Sequence, residues 1–225
     1  MRRTATTSKV KMFVTTQELD PQLLGLRSLN KLKSAHGGLY MGIHFKNDKL
    51  YLVLGTRDKP ITTPKGITIN DDPKGAWASM SVACDDSILP AIDGIDNKIR
   101  QLLADNSEGL FGMKCTPEMI AKYKFYTPLA YSKEESSLAP LAGGKVTTTT
   151  IVEDQIGHSM MKNPAVLANL SEASPAGSKV RMILSLGSLY FSAETKCKLS
   201  VKVERIQLIE AGSDVAEVEN YSFAD

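Results

Sequence analysis

The sequence predicts a mainly β protein with inserted helices, an α+β fold whose strands form an antiparallel barrel or sandwich. Three observations point there. Runs of period-two alternation outnumber runs of helical spacing by about seven to three. The strands are joined by hairpins rather than by helical crossovers. The chain closes on two long alternating runs, 179–193 and 196–209, around a turn near Glu194-Thr195.

The elements follow in order. Asp20-Pro21 is a helix start, because Asp accepts amide hydrogen bonds at an N-cap and Pro at the first helical position lacks an N–H that has no partner. Leu23, Leu24, Leu26, Leu29 and Leu32 extend that helix towards residue 34, and His36-Gly37-Gly38 breaks it. From Leu39 the period becomes two. Leu39, Met41, Ile43 and Phe45 face one way, Asn47-Asp48 turns the chain, and Leu50, Leu52 and Leu54 alternate with Tyr51 and Val53, which predicts a β-hairpin. Pro60, Pro64, Gly66, Pro73 and Gly75 mark a long loop. A strand over 76–84 sets Ala78, Met80, Val82 and Cys84 against Trp77, Ser79 and Ser81. Ile88, Ile92, Ile95, Ile99, Leu102 and Leu103 recur at helical spacing across 87–105, with Gly109 closing the segment. Thr116-Pro117-Glu118 opens another helix. Strands are expected at Phe125–Tyr131 and Val146–Glu153, with loops at 132–145 and 157–178. The predicted organisation is a basic arm and short helix (1–35), one β-rich core (36–210) and an acidic tail (211–225).

Composition narrows the class. With 225 residues, 42% hydrophobic and 23% charged, the chain is not disordered, collagenous or a coiled coil. No window approaches ~18 uninterrupted apolar residues, so no membrane-spanning helix is expected. Lys9 and Lys11 interrupt the start where a signal peptide needs an apolar stretch. Cys84, Cys115 and Cys197 are too few and too scattered for a disulfide scaffold or a zinc site. A soluble, intracellular, single-core protein is expected. The net charge of +2 hides polarity. Arg2, Arg3, Lys9, Lys11, Arg27, Lys31 and Lys33 crowd the start, while Glu210, Asp214, Glu217, Glu219 and Asp225 end the chain without a cation. Such a layout suits a cationic arm for a polyanion and a tail that competes for the same surface.

No catalytic signature survives inspection, so an enzyme is not expected, and neither a cofactor nor a metal is required. Gly143-Gly144-Lys145 looks like part of a phosphate loop, but Val146 stands where Ser or Thr would bind magnesium. His36, His44 and His158 share no metal-ligand spacing. Asp71-Asp72, Asp85-Asp86, Asp93 and Asp96 offer carboxylates to a hard cation, yet their places beside predicted turns and helix starts are explained by capping. Alternation points Cys197 into the core.

Surfaces are more informative. Lys196, Lys198 and Lys202 share one face of the last strand, and Lys179 and Arg181 share one face of its hairpin partner. Five cations on adjacent strands form a positive face. Tyr51, Trp77, Tyr123 and Tyr126 lie near basic residues and are candidate stacking rings. Cations for phosphates and flat rings for bases suit single-stranded nucleic acid.

The order of elements adds a resemblance. Trp77-Ala78-Ser79-Met80-Ser81-Val82 is followed by a helix with Ile95, Ile99 and Leu102, then by Gly109-Leu110-Phe111-Gly112 and Thr116-Pro117-Glu118-Met119-Ile120. A strand with Tyr126 and the closing hairpin from Gly177 to Glu210 complete it. This order, over about 60% of the chain, resembles the single-stranded DNA-binding proteins of large DNA viruses and phages. The tail with Tyr221, Phe223 and Asp225 is similar to theirs, although weakly acidic, and residues 36–75 have no counterpart. The resemblance implies an OB-like barrel or sandwich, sequence-independent coating of single-stranded DNA in replication or recombination, and a tail that contacts replication proteins. It also implies host cytoplasm or nucleus if the protein is viral. Homo-oligomers are compatible with it. The alternative is a viral structural or assembly protein whose β-rich core packs against copies of itself.

Overall fold

The computed structural model describes residues 12–31, 38–70, 77–130, 140–147, 149–159, 174–192 and 196–212. Five cations of the basic arm (Arg2, Arg3, Lys9, Lys11 and Lys33), the turn at Glu194-Thr195 and the tail with Tyr221, Phe223 and Asp225 lie outside the described residues.

Two long strands form the spine, β11 (Ser178–Phe191) and β12 (Cys197–Glu210), paired antiparallel along most of their length. Shorter strands are laid end to end along the free side of each. On β11 these are β3 (Leu39–Phe45), β4 (Leu50–Leu54) and β5 (Ile61–Thr63), all antiparallel to it. On β12 they are β8 (Tyr126–Thr127), β9 (Leu141–Val146) and β10 (Ile151–Glu153), all parallel. β1 (Met12–Thr15) adds to β4, β2 (Leu24–Lys31) to β3, and β7 (Trp77–Ala83) with β6 (Ile67–Asn70) to β9. The expected mainly β class with inserted helices holds, as an OB-like sandwich. The sheet is mixed rather than purely antiparallel, and it does not close into a barrel.

The core lies on the inner face. Leu50, Leu52, Leu54, Met182 and Ile206 are fully buried there. Helix α1 (Leu89–Asp105) contributes Ile92, Ile95, Ile99 and Leu103, each at most 1% exposed. Their three- and four-residue spacing is the periodicity that predicts the helix. In the turn before it, the Asp85 carboxylate accepts from Ser87 N at 2.9 Å and from the Ser87 hydroxyl at 2.6 Å. Helix α3 (Pro117–Lys122) starts as expected, with the Thr116 hydroxyl accepting from Met119 N. A short helix α2 (Ser107–Phe111) runs through Gly109, and it is Gly112, at φ 69°, that closes it.

Three local expectations are corrected. The Asp20-Pro21 start is real, with Asp20 accepting from Gln22 N at 3.0 Å, but it opens only a single 3-10 turn at Pro21–Leu23. Beyond it the leucines belong to β2, where Leu24, Leu26 and Leu29 pair with Phe45, Ile43 and Met41. Gly25, Ser28 and Asn30 are weak helix formers, and the edge of β3 offers backbone partners that a helix would forgo. The hairpin of β3 and β4 is also absent. Lys46 and Asn47, both at positive φ, make a tight turn between Phe45 and Asp48, yet the two strands pair with different stretches of β11 rather than with each other. Finally, the loops placed over 55–75 and 132–145 contain β5, β6 and β9. Their glycines and prolines hid short strands whose pairing is long-range.

Candidate functional site

The outer face of the spine can be read from its register. Lys179 stands opposite Glu210, Arg181 opposite Gln207, Ile183 opposite Arg205, Ser185 opposite Lys202 and Tyr190 opposite Lys198. Of the five predicted cations, Lys179, Arg181, Lys198 and Lys202 lie on this side of the hairpin, but they are spread along it and differ in state. Lys179 is paired with Glu210 at 3.0 Å. Lys202 lies 3.4 Å from Glu204 and donates to the Thr149 hydroxyl at 2.8 Å. Lys49 reaches the other Glu204 oxygen at 3.4 Å, and the Ser185 hydroxyl donates to it at 2.7 Å. Partial burial works against ionising Glu204, but Ser185, Lys202 and Lys49 outweigh it and hold the carboxyl below its usual range. The middle of the face therefore holds two lysines on one shared carboxylate, which lowers its positive charge without removing it. Lys196 is exposed just ahead of β12, where its carbonyl accepts from Ser192 N.

At the Tyr190–Lys198 end the sheet opens into a groove of about 720 Å³ between β12 and the β9–β7 pair. Trp77, Tyr190, Lys145 and Lys198 line it, with Ser79 and Ser81 from β7 and Pro128 from the segment after β8. Trp77 is 37% and Tyr190 43% exposed. The Tyr40 ring, across the ladder on β3, lies 6.2 Å from that of Tyr190 and extends the aromatic surface. Gly143 and Gly144 lie in the groove wall, so the Gly143-Gly144-Lys145 run is a strand and not a phosphate loop. A Cβ on Gly143 would collide with the Met80 carbonyl oxygen and come within 2.7 Å of Ser81 Cα. Glycine lets β9 and β7 approach closely here.

The stacking candidates divide. Trp77 is in the groove. Tyr123 is 51% exposed but lies at the end of α3, with Lys122 5.9 Å from its ring centroid and Phe125 5.8 Å away. Tyr51 is only 9% exposed, with the Phe13 ring at 5.3 Å and Lys49 Nζ 5.1 Å from its centroid. Tyr126 is corrected outright. It is 3% exposed, and its hydroxyl donates to Asp96 Oδ1 at 2.6 Å, so the ring is core and cannot meet a base. Sequence reasoning missed Tyr190 and Lys145. A bulge between Leu186 and Leu189 shifts the alternation of β11 and turns Tyr190 outward, and no residue spacing announces it.

Asp96 supports the groove from behind. It is 2% exposed on α1 and also accepts from Leu129 N at 3.0 Å, which ties the Thr127–Leu129 wall to the helix. It is therefore not a helix cap. Among the described residues no group of three or more His, Cys, Asp or Glu is placed to hold a metal ion. Burial pushes the Asp96 carboxyl up, against the opposing pull of Tyr126, Leu129, Arg100 and Ala130. A carboxyl raised in the folded state binds its proton more tightly there than in the unfolded chain. This contribution to stability is complete below the ordinary carboxylate pKa and is lost as pH rises through the raised folded value. Asp96→Asn keeps an acceptor for Tyr126 and Leu129, so its urea-denaturation midpoint should fall less with rising pH across that window than the wild type's. Parallel profiles would refute this role.

No family model matches the sequence, and no curated protein is similar to it. Solved structures are. The chain is similar to the single-stranded DNA-binding protein of bacteriophage Enc34 in complex with single-stranded DNA, at 12% identity over 84% of this chain and 99% of that one, with a TM-score of 0.42. It is also similar to gp2.5, a single-stranded DNA-binding protein encoded by bacteriophage T7, at 12% identity over 77% and 93%, with a TM-score of 0.44. The likeness is one of fold. No helix among the described residues is long and apolar enough to cross a membrane.

Proposed function

We propose that this protein binds single-stranded DNA without reading its sequence, holding it in the groove between β12 and the β9–β7 pair. One observation carries the reading: two exposed rings, Trp77 and Tyr190, and two lysines, Lys145 and Lys198, converge on one open groove. Rings stack on any base and lysines neutralise any phosphate, so the arrangement favours strands over duplexes and is tolerant of sequence. The groove is open and lined by backbone and small polar residues as well, which leaves room for a strand to pass through. Outside the groove, Lys196 is exposed just ahead of β12 and Arg181 on β11, while Lys179 and Lys202 are held by Glu210 and Glu204. No catalysis is involved. In this reading the protein coats single strands during viral replication or recombination, and Tyr221, Phe223 and Asp225 in the acidic tail contact a replication partner.

Trp77 is the only tryptophan in the chain, so its fluorescence reports on the groove alone. Titration with single-stranded DNA should quench it, while duplex of the same length should leave it nearly unchanged. Replacing both Lys145 and Lys198 by Ala should lower the slope of log affinity against log salt by about 1.4, at ~0.7 per phosphate contact on a single strand. Both lysines are exposed, so stability should barely move. An unaltered slope, or no quenching by any single strand, would overturn the reading. A chain that instead self-assembles and ignores nucleic acid would be a structural protein.

A further inference from the structure

The opposite end of the same hairpin face holds a second cleft, of about 350 Å³, lined by Phe13, Val53, Arg181, Ile183, Arg205 and Gln207 along with Glu153. Its charge is arginine rather than lysine. Three of the chain's seven arginines gather around it: Arg181 and Arg205 in the wall, and Arg57 beside it. Arg57 donates to the Gln155 carbonyl at 2.8 Å, and the Gln207 side chain donates to the same oxygen at 3.3 Å. Arg181 and Arg205 are diagonal neighbours across the β11–β12 ladder, a separation of ~7–8 Å at the backbone. Among the described residues only one carboxylate serves them. Glu153 lies 3.8 Å from Arg205, and no carboxylate among the described residues pairs with Arg181. Two guanidinium groups held close with one partner leave a place for an anion, and guanidinium is the side chain best shaped for phosphate. The cleft also has a flat wall. Phe13 is 52% exposed, its ring tilted against that of Tyr51 at 5.3 Å, and so it leaves ring surface for a base.

We infer that this cleft is a second phosphodiester subsite, in which Arg181 and Arg205 hold phosphate and Phe13 stacks a base of the same DNA strand that fills the Trp77 groove. The inference rests on the proposed single-strand reading and extends it. Along β11, Arg181 is nine residues (~30 Å at strand rise) from Tyr190 at the far end of the groove and four (~13 Å) from Ser185, whose row continues through Lys202 to Lys145 at its near end. Lys202, which shares Glu204 with Lys49, stands on β12 between the rows of Arg181 and Tyr190. A short oligonucleotide therefore occupies one site, and only a longer one bridges both. Bridging makes the second contact intramolecular and raises affinity without new chemistry.

The test compares thymidine oligonucleotides of about 4 and about 16 nucleotides, the span of site sizes for OB-type domains, on the full chain and on Arg181→Glu. Arg181 is exposed and has no ion pair among the described residues, so the variant should fold as the wild type does. For the long strand, Arg181→Glu should weaken binding about tenfold or more and reduce the salt slope by at least ~0.7. Phe13→Ala should weaken it without changing the slope. For the short strand, quenching of Trp77 should be the same in all three proteins. If the long strand binds Arg181→Glu as tightly as wild type while the short strand still quenches Trp77, the second subsite is refuted and the groove stands. Equal losses for both lengths would also refute it, because Arg181 would then act on the groove. If no strand quenches Trp77 in the wild type, the groove reading fails, and the subsite built on it fails too.

Discussion

Replacing Trp77 and Tyr190 together by Ala should weaken binding of single-stranded DNA by at least ~30-fold, the equivalent of about 2 kcal/mol when each ring stacks one base at ~1–3 kcal/mol. The expectation rests on place as well as type. Both rings line one groove, both are more than a third exposed, and Lys198 stands directly across the ladder from Tyr190. Anisotropy of a labelled oligonucleotide would measure the loss, because the variant has no tryptophan left to report. Tyr190→Phe should keep most of the affinity, since stacking needs the ring and not the hydroxyl. Both side chains point outward, so far-ultraviolet circular dichroism should be unchanged. A loss below threefold in a folded double variant would remove the groove from consideration as the stacking site.

The second large effect concerns stability. Gly143→Ala should destabilise the fold by about 1–3 kcal/mol, the usual cost of overpacking. The new methyl would meet backbone, the Met80 carbonyl and Ser81 Cα, rather than the yielding end of a side chain. Relief requires β9 and β7 to separate, which also widens the groove. For a domain of this size, thermal unfolding should fall by ~2–4 °C per kcal/mol. Gly109→Ala is the matched control. It lies in helix α2, and nothing stands within 4 Å of the place its methyl carbon would take, so it should be neutral or stabilise by up to ~1 kcal/mol. If both glycines tolerate Ala equally, the close approach of β9 and β7 is not a constraint on the groove.

These predictions turn on residues that differ greatly in how readable they are. The inner faces of β7 and α1 are plain in the sequence. Ala78, Met80, Val82 and Cys84 alternate, and Ile92, Ile95, Ile99 and Leu103 recur at helical spacing, because burial imposes a period and an apolar residue at each turn of it. The two long closing strands are equally plain. So is the polar side of β12, where Lys198, Ser200 and Lys202 alternate with buried or half-buried apolar residues.

The binding surface is less readable. Tyr126 sits among Lys122, Lys124 and Phe125 in sequence and looks like a stacking ring, yet Asp96, thirty residues earlier, draws its hydroxyl into the core at 2.6 Å. Phe13 covers Tyr51 because β1 pairs parallel with β4, an arrangement without a local signature. Bulges shift the phase of both spine strands. In β12 the buried positions change from odd to even between Val203 and Ile206, so Glu204 and Arg205, adjacent in sequence, both lie toward the outer side.

By itself the sequence determined the mainly β class with inserted helices, the principal helix, the spine and the positive side of its hairpin. Each depends on periodicity or on capping, which act over a few residues. The tertiary structure alone decided which strands are neighbours, which cations Glu204 and Glu210 engage, and which rings remain open. It brought Trp77, Lys145, Tyr190 and Lys198 to one groove from four strands. The physical reason is that pairing and register between distant strands are chosen by burial of the whole inner face at once, and a single bulge reverses every side chain beyond it.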